Sequence, residues 1–270
     1  MIDNHVHSNI SYDGKSKIDE YLNIVQSKDI TEITFTEHLD LIKGIPNIDL
    51  DNYYKQFLEY EQRSPIPINF GLEVGLSPEY NERISKILNN YPFDFIIASS
   101  HTLKNYILGE NEELIENYSQ EEITKMYYEE VLDNINSFSN YDVYGHLDHI
   151  LRYIDHSDFD SYNDNKKIID EILISLIKKE KGIEVNSSGF RFGCNNPHPS
   201  IEILKRYKNL GGKILTIGSD AHKYWELSRD LDITLDVLEE CGFDTINIFH
   251  QRKPDSIKVK TLRKGGFLNE

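Results

Sequence analysis

Apolar residues recur along this chain in two alternating textures. Short runs rich in Ile, Val, Phe, Tyr and Thr occupy residues 2–7, 32–36, 68–74, 93–99, 141–146, 182–186 and 213–219, with "TINIF" at 245–249 as an eighth. Their length and β-branched content predict buried parallel strands. Between them lie longer stretches with apolar positions at helical spacing. "SKIDEYLNIVQSKD" opens with a Ser16–Asp19 capping pattern, and "SQEEITKMYYEEVLDNINSF" opens the same way at Ser119 and Glu122. "DNKKIIDEILISLIKKEKG" stops at Gly182, and "PSIEILKRYKNLGG" begins with proline and ends in glycines. Leu22, Tyr127, Leu173 and Leu204 on these segments read as core contacts. Strand and helix in alternation predict a parallel sheet with right-handed crossovers. Seven or eight such units favour a closed barrel, and 270 residues fit a single domain of that kind.

In a barrel of this class the chemistry collects at the carboxyl ends of the strands. The first strand delivers His5 and His7, whose spacing of two puts both on one face. The second delivers Glu37 and His38, the third Glu73, the fourth His101, the fifth His146, and the seventh Asp220 and His222; Asp13 follows the first. A single histidine at a strand end is ordinarily a hydrogen-bonded structural residue. Here six of the ten histidines fall on the one rim where a barrel brings them together. Unpaired polar groups buried there would be costly, and shared coordination of cations satisfies them all. Imidazole and carboxylate without thiolate suit Zn, Mn or Fe. The set exceeds the three protein ligands of a usual catalytic zinc, so it implies more than one ion.

Composition narrows the partners. A net charge of −17 argues against a nucleic-acid or anionic-lipid surface, but not against a small anion drawn to clustered cations. Cys194 and Cys241 form no CxxC pattern and read as reduced thiols. The amino terminus does not read as a signal peptide, and no apolar run approaches the roughly 18 residues that span a bilayer. These features together predict a soluble, cytoplasmic protein.

The combination of H-x-H at His5 and His7, E-H at Glu37 and His38, Glu73, His101, His146 and D-x-H at Asp220 and His222 resembles the PHP (polymerase and histidinol phosphatase) superfamily, over residues 2–222. "SYDG", "GHLDHILRY" and "EVNSSGFR" resemble its histidinol-phosphate phosphatase branch. The resemblance implies an α/β fold, a distorted (β/α)7 TIM-like barrel formed by residues 1–270 as one domain, with 243–270 packing at the barrel seam or outside it. It also implies a trinuclear centre of divalent ions. His5, His7, Glu73 and Asp220 would hold the first ion; Glu73 would bridge to a second completed by His101 and His146; Asp13, His38 and His222 would hold a third. Some members carry histidine where this chain has Asp13, which leaves the third ion the most open in identity. The implied reaction is hydrolysis of L-histidinol phosphate to L-histidinol and phosphate in histidine biosynthesis, by in-line attack of a hydroxide bridging two ions. Another small phosphate ester or a nucleotide is the alternative substrate.

Arginine matches phosphate oxygens two-pronged, and Arg152 and Arg191 lie just beyond strand ends. Asn186 and Ser187 are candidates to orient substrate. Asp13 and His222, counted with Arg152 as catalytic, should flank the departing oxygen. His149 reads as a supporting or helix-start residue, His198 as a loop residue that can touch substrate, His156 as exposed loop, and His250 as structural or exposed.

Overall fold

The seven apolar runs become seven strands: β1 (Ile2–Val6), β2 (Glu32–Asp40), β3 (Ile68–Gly75), β4 (Phe95–Ser99), β5 (Val143–Tyr144), β6 (Gly182–Asn186) and β7 (Leu215–Gly218). The structure is a computed structural model that describes residues 1–110, 112–155 and 160–263. The strands lie in chain order in one sheet, every neighbouring pair parallel. Beyond β7 the chain returns to β1 through a parallel bridge between Ala221 and Val6. There the His7 N–H donates to Ala221 O at 2.9 Å and the Asp220 N–H to His5 O at 2.9 Å. The barrel of the expected (β/α)7 type is thus nearly closed, and chemistry-bearing residues make the closing contact.

Two strands depart most in length from the hydrophobic pattern. β2 runs on to Asp40, past its expected end at 36, and keeps His38 and Asp40 paired to Glu73 and Gly75 of β3. β5 shrinks to two residues, and the backbone turns at His146, where φ is 20°. The capping box at Ser119 and Glu122 forms as read and starts the helix Gln120–Ser137. The one at Ser16 does not form. The Ser16 hydroxyl accepts the N–H of distant Tyr224 at 3.0 Å, and the short helix Ile18–Leu22 takes Glu20 as the acceptor for the Lys17 N–H at 2.8 Å. Leu22, Tyr127, Leu173 and Leu204 are buried in the main core. Cys194 and Cys241 are free thiols.

The eighth run pairs with a ninth strand as an antiparallel hairpin, β8 (Thr245–His250) and β9 (Lys253–Lys258). Phe249 stacks on Phe95, with ring centroids 5.0 Å apart, and joins Ile97, Val143 and Ile214 in a small apolar cluster apart from the main core. Arg252 N–H donates to Asp94 O at 2.8 Å, and its Nε to Asp142 Oδ2 at 2.5 Å. Asp94 and Asp142 immediately precede β4 and β5, so the hairpin covers the amino-terminal end of the barrel. Phe249→Ala should cost about 3–5 kcal/mol through the cavity it leaves. A lowered denaturant midpoint with bound metal retained is the expected result, because the opposite rim is untouched.

Candidate metal centre

The loop after β1 is fixed before it reaches the site. Glu37, fully buried in β2, accepts the backbone N–H and hydroxyl of both Ser8 and Ser11. Burial pushes its pKa up, opposed by those hydrogen bonds. Gly14 is required here, because a Cβ would lie 1.8 Å from the carbonyl oxygen of Ser8. Glu37 therefore anchors the turn that delivers Asp13, and His38, its neighbour, faces the cavity instead.

Glu73 is the hub of the rim. Its Oε2 lies 3.2 Å from His5 Nε2, 3.4 Å from His7 Nε2 and 3.2 Å from His38 Nδ1. Its Oε1 lies 2.8 Å from His146 Nε2 and 3.2 Å from His101 Nε2, and accepts the Ser99 hydroxyl at 2.6 Å. Asp220 Oδ1 lies 3.4 Å from His7 Nε2 and 3.7 Å from His5 Nε2. Asp13 Oδ2 lies 3.2 Å from His222 Nε2 and 3.5 Å from His38 Nε2. All nine candidate ligands thus come together, arriving from six strands or the turns that follow them. Asp220 adopts a left-handed φ of 55°, strain of the kind that functional sites store.

The electrostatics show acids and imidazoles balancing one another. Burial opposes the charge on Glu73, but His5, His101 and His38 hold its pKa well below the usual carboxylate value. Burial likewise opposes a charged His38, yet Glu73, Asp13 and Asp40 raise it to about 9. His5, His101 and His222 are raised by their carboxylate neighbours against the same opposition. His7 goes the other way, pushed well down by burial and by neighbouring His38 and His222.

Protein contacts alone leave this rim unsatisfied. His5 Nε2, both ring nitrogens of His7, His38 Nδ1, Asp13 Oδ1 and Glu73 Oε2 are buried with no hydrogen-bond partner among the described residues. Groups such as His5, His7 and Glu73, or His7, His38 and His222, have ligand atoms within 4.8 Å of one another. Buried polar atoms that lack partners cost free energy, and divalent cations fit both the gap and the nitrogen–oxygen donor set.

A cavity of about 320 Å³ opens over these residues, walled by Tyr12, Leu108, Tyr153 and Phe192 among others. Arg152 reaches into it from the short helix His149–Arg152, donating to Asp220 Oδ2 at 3.1 Å and to the Ser188 hydroxyl. Its Nε–H is buried and has no hydrogen-bond partner among the described residues. Arg191 lines the same cavity but donates to the carbonyls of Ser219 and Asp220 at 3.2 and 3.0 Å.

Asn186 and Ser187, the other candidates to orient substrate, are both fully buried and lie apart from the cavity lining. Asn186 spends its amide on Glu184 and Ser188, and Ser187 donates to Arg229 O at 2.6 Å. A short helix, Ser188–Arg191, follows directly after β6. His198 is buried against Asp148 at 2.5 Å, outside the cavity. His149 lines the cavity, its ring 4.2 Å from that of His146. His250 is partly exposed and pairs with Glu32 and Asp255; His156 lies outside the described residues. Sequence reasoning passed over Asp40 and Glu184. Two signals marked them: His38-x-Asp40 repeats the one-face spacing of His5-x-His7, and Glu184 is a lone acid within an apolar strand.

Fold and site together define a barrel hydrolase with a metal-binding site at the carboxyl ends of its strands. The PHP domain family model matches residues 3–188, and the chain belongs to that family. It is 30% identical over 262 residues to the histidinol-phosphatase of Lactococcus lactis, covering 95% of this chain and 97% of that protein. A probable histidinol-phosphatase of Clostridium acetobutylicum is also 30% identical, over 91% of this chain and 96% of the relative. The Lactococcus lactis histidinol phosphate phosphatase, solved in complex with zinc, L-histidinol and phosphate, superimposes with a TM-score of 0.86 at 28% identity, covering 94% of this chain and 98% of that one.

Proposed function

We propose that this chain is a metal-dependent phosphomonoesterase that hydrolyses L-histidinol phosphate to L-histidinol and phosphate. The observation that carries the chemistry is the convergence of five histidine rings on the two oxygens of Glu73. Similarity across nearly the whole chain to the Lactococcus lactis phosphatase supports the substrate. The size of the cavity supports a small ester over a polymer.

Three divalent ions are assigned to the residues present: His5, His7, Glu73 and Asp220 for the first, Glu73, His101 and His146 for the second, and Asp13, His38 and His222 for the third. When bound, such ions neutralise phosphoryl oxygens and make water a competent nucleophile near neutral pH. The chain's own groups do the rest. Arg152 lines the cavity with its guanidinium held through Nη2 by Asp220 and Ser188, where its positive charge would meet a phosphate oxygen. Arg191 braces the strained turn at Asp220 through the two carbonyls. Asp13 and His222, with Oδ2 and Nε2 3.2 Å apart at the cavity edge, flank the position of the departing oxygen. Tyr12, Tyr153 and Phe192 shield the reacting phosphate from bulk water.

The test is phosphate release from L-histidinol phosphate, p-nitrophenyl phosphate and a mononucleotide, with and without chelator. Strong preference for the first, abolished by chelation, is expected; equal rates on all three would reduce the assignment to a general phosphatase. Arg152→Ala should lower kcat/KM by about 10²–10³, as for loss of one charge-stabilising donor, at unchanged metal content. Loss of metal instead would show that Arg152 serves Asp220 and not the phosphate.

A further inference from the structure

Two buried carboxylates at this rim, Asp40 and Glu184, lie outside the nine assigned ligands. Their side chains are 0% and 1% exposed, and among the described residues neither meets a lysine or arginine at ion-pairing distance. Each instead faces the rear of a histidine, and Asp40 Oδ2 also lies 3.4 Å from His38 Nδ1. Asp40 Oδ1 lies 2.8 Å from His101 Nδ1, and Glu184 Oε1 lies 2.5 Å from His5 Nδ1. In both rings the opposite nitrogen, Nε2, faces Glu73 at 3.2 Å, His101 on Oε1 and His5 on Oε2.

The surrounding backbone is shaped to admit both acids. A Cβ on Gly75 would lie 1.8 Å from Asp40 Oδ1, and a Cβ on Gly218 would lie 2.6 Å from Glu184 Oε1 and 2.3 Å from His5 Cβ. Glu184 is fixed further by the His146 N–H at 3.0 Å and Asn186 Nδ2 at 3.1 Å, both on Oε2. Its remaining oxygen is thereby aimed at His5. A neutral imidazole carries a single N–H. An acceptor at Nδ1 takes that hydrogen and leaves the lone pair on Nε2, where a cation can use it.

We propose that Asp40 and Glu184 are positioning residues that lock His101 and His5 in the Nδ1–H form and aim Nε2 of each at a different cation. The inference rests on the metal-centre reading above. Glu184 serves the ion shared by His5, His7 and Asp220; Asp40 serves the ion of His101 and His146.

The experiment loads wild type, Glu184→Gln, Asp40→Asn and His5→Ala with Zn²⁺ and titrates each with a chelator, reading equivalents retained. Each amide variant should release one equivalent at roughly 10–100-fold lower chelator than wild type. Adding Glu184→Gln to His5→Ala should cause no further loss of the ion that His5 holds, because toward that ion the acid acts through that ring. Additive loss, or retention equal to wild type, overturns the proposal. A second measurement needs no variant. Nitrogen NMR of ring-labelled histidine in the Zn²⁺-loaded wild type should show protonated Nδ1 and metal-bound Nε2 for His5 and His101, and metal-bound Nδ1 in either overturns it. A wild-type chain that retains no Zn²⁺ overturns the metal reading itself, and the positioning roles with it. Retention by wild type with unaltered variants overturns the positioning roles alone.

Discussion

Glu73→Gln should lower kcat/KM by at least about 10³, some 4 kcal/mol of transition-state stabilisation, and should empty two metal positions together. Its two oxygens meet five of the candidate ligands: Oε2 meets His5, His7 and His38, and Oε1 meets His101 and His146. An amide of the same size offers one weaker acceptor oxygen and turns two N–H donors toward rings that need an anion. The fold should survive, since Glu73 is paired to Ile97 and His38 through its backbone and the strand ladder is untouched. Metal analysis after gel filtration checks the claim. Loss of only one equivalent would show that Glu73 does not bridge, and loss of none would remove it from the centre.

Removing the metal should turn a flat stability profile into a sloping one. In the chelated protein His38 titrates near 9, against 6.5 in the unfolded chain, and His5, His101 and His222 are raised as well. Between those values the folded state holds protons that the unfolded state has released, so stability falls as pH rises. The contribution is fully present below 6.5 and is lost as pH passes each folded value. His7, whose pKa is lowered, acts oppositely, and its contribution fades below 6.5. Chelated protein should therefore be most stable near pH 6.5 and lose on the order of a few kcal/mol by pH 9. Metal-loaded protein should show no such loss, because coordination requires the rings deprotonated at every pH in that window. Urea midpoints at pH 6.5 and 9, with and without chelator, decide it. Parallel profiles would show that the same histidines do not hold the ions.

These expectations rest partly on features visible in the chain alone. A strand alternates its faces every residue, so His5-x-His7 had to present two imidazoles together wherever the strand lay. Apolar runs separated by helical spacing had to stack in parallel, and a parallel barrel puts every strand's carboxyl end on one rim. That is why strand-end candidates spread from His5 to His222 are legible without coordinates, while their division into ion sets is what the family resemblance implies. Local capping was readable at Ser119, where donor and acceptor sit three residues apart.

Other features depended on contacts between distant segments. Ser16 looks like Ser119 in sequence, but the fold brings Tyr224 to its hydroxyl and the local cap loses its acceptor. Asn186 and Ser187 end a strand as His146 does, yet neither lines the cavity. Sequence by itself determined which residue types end the strands and on which face, because alternation and burial are local rules. Tertiary structure alone decided that Glu73 would collect five rings, that Asp40 and Glu184 would stand behind two of them, and which ring nitrogen faces inward. Those outcomes are distances between strands, set by barrel closure and register.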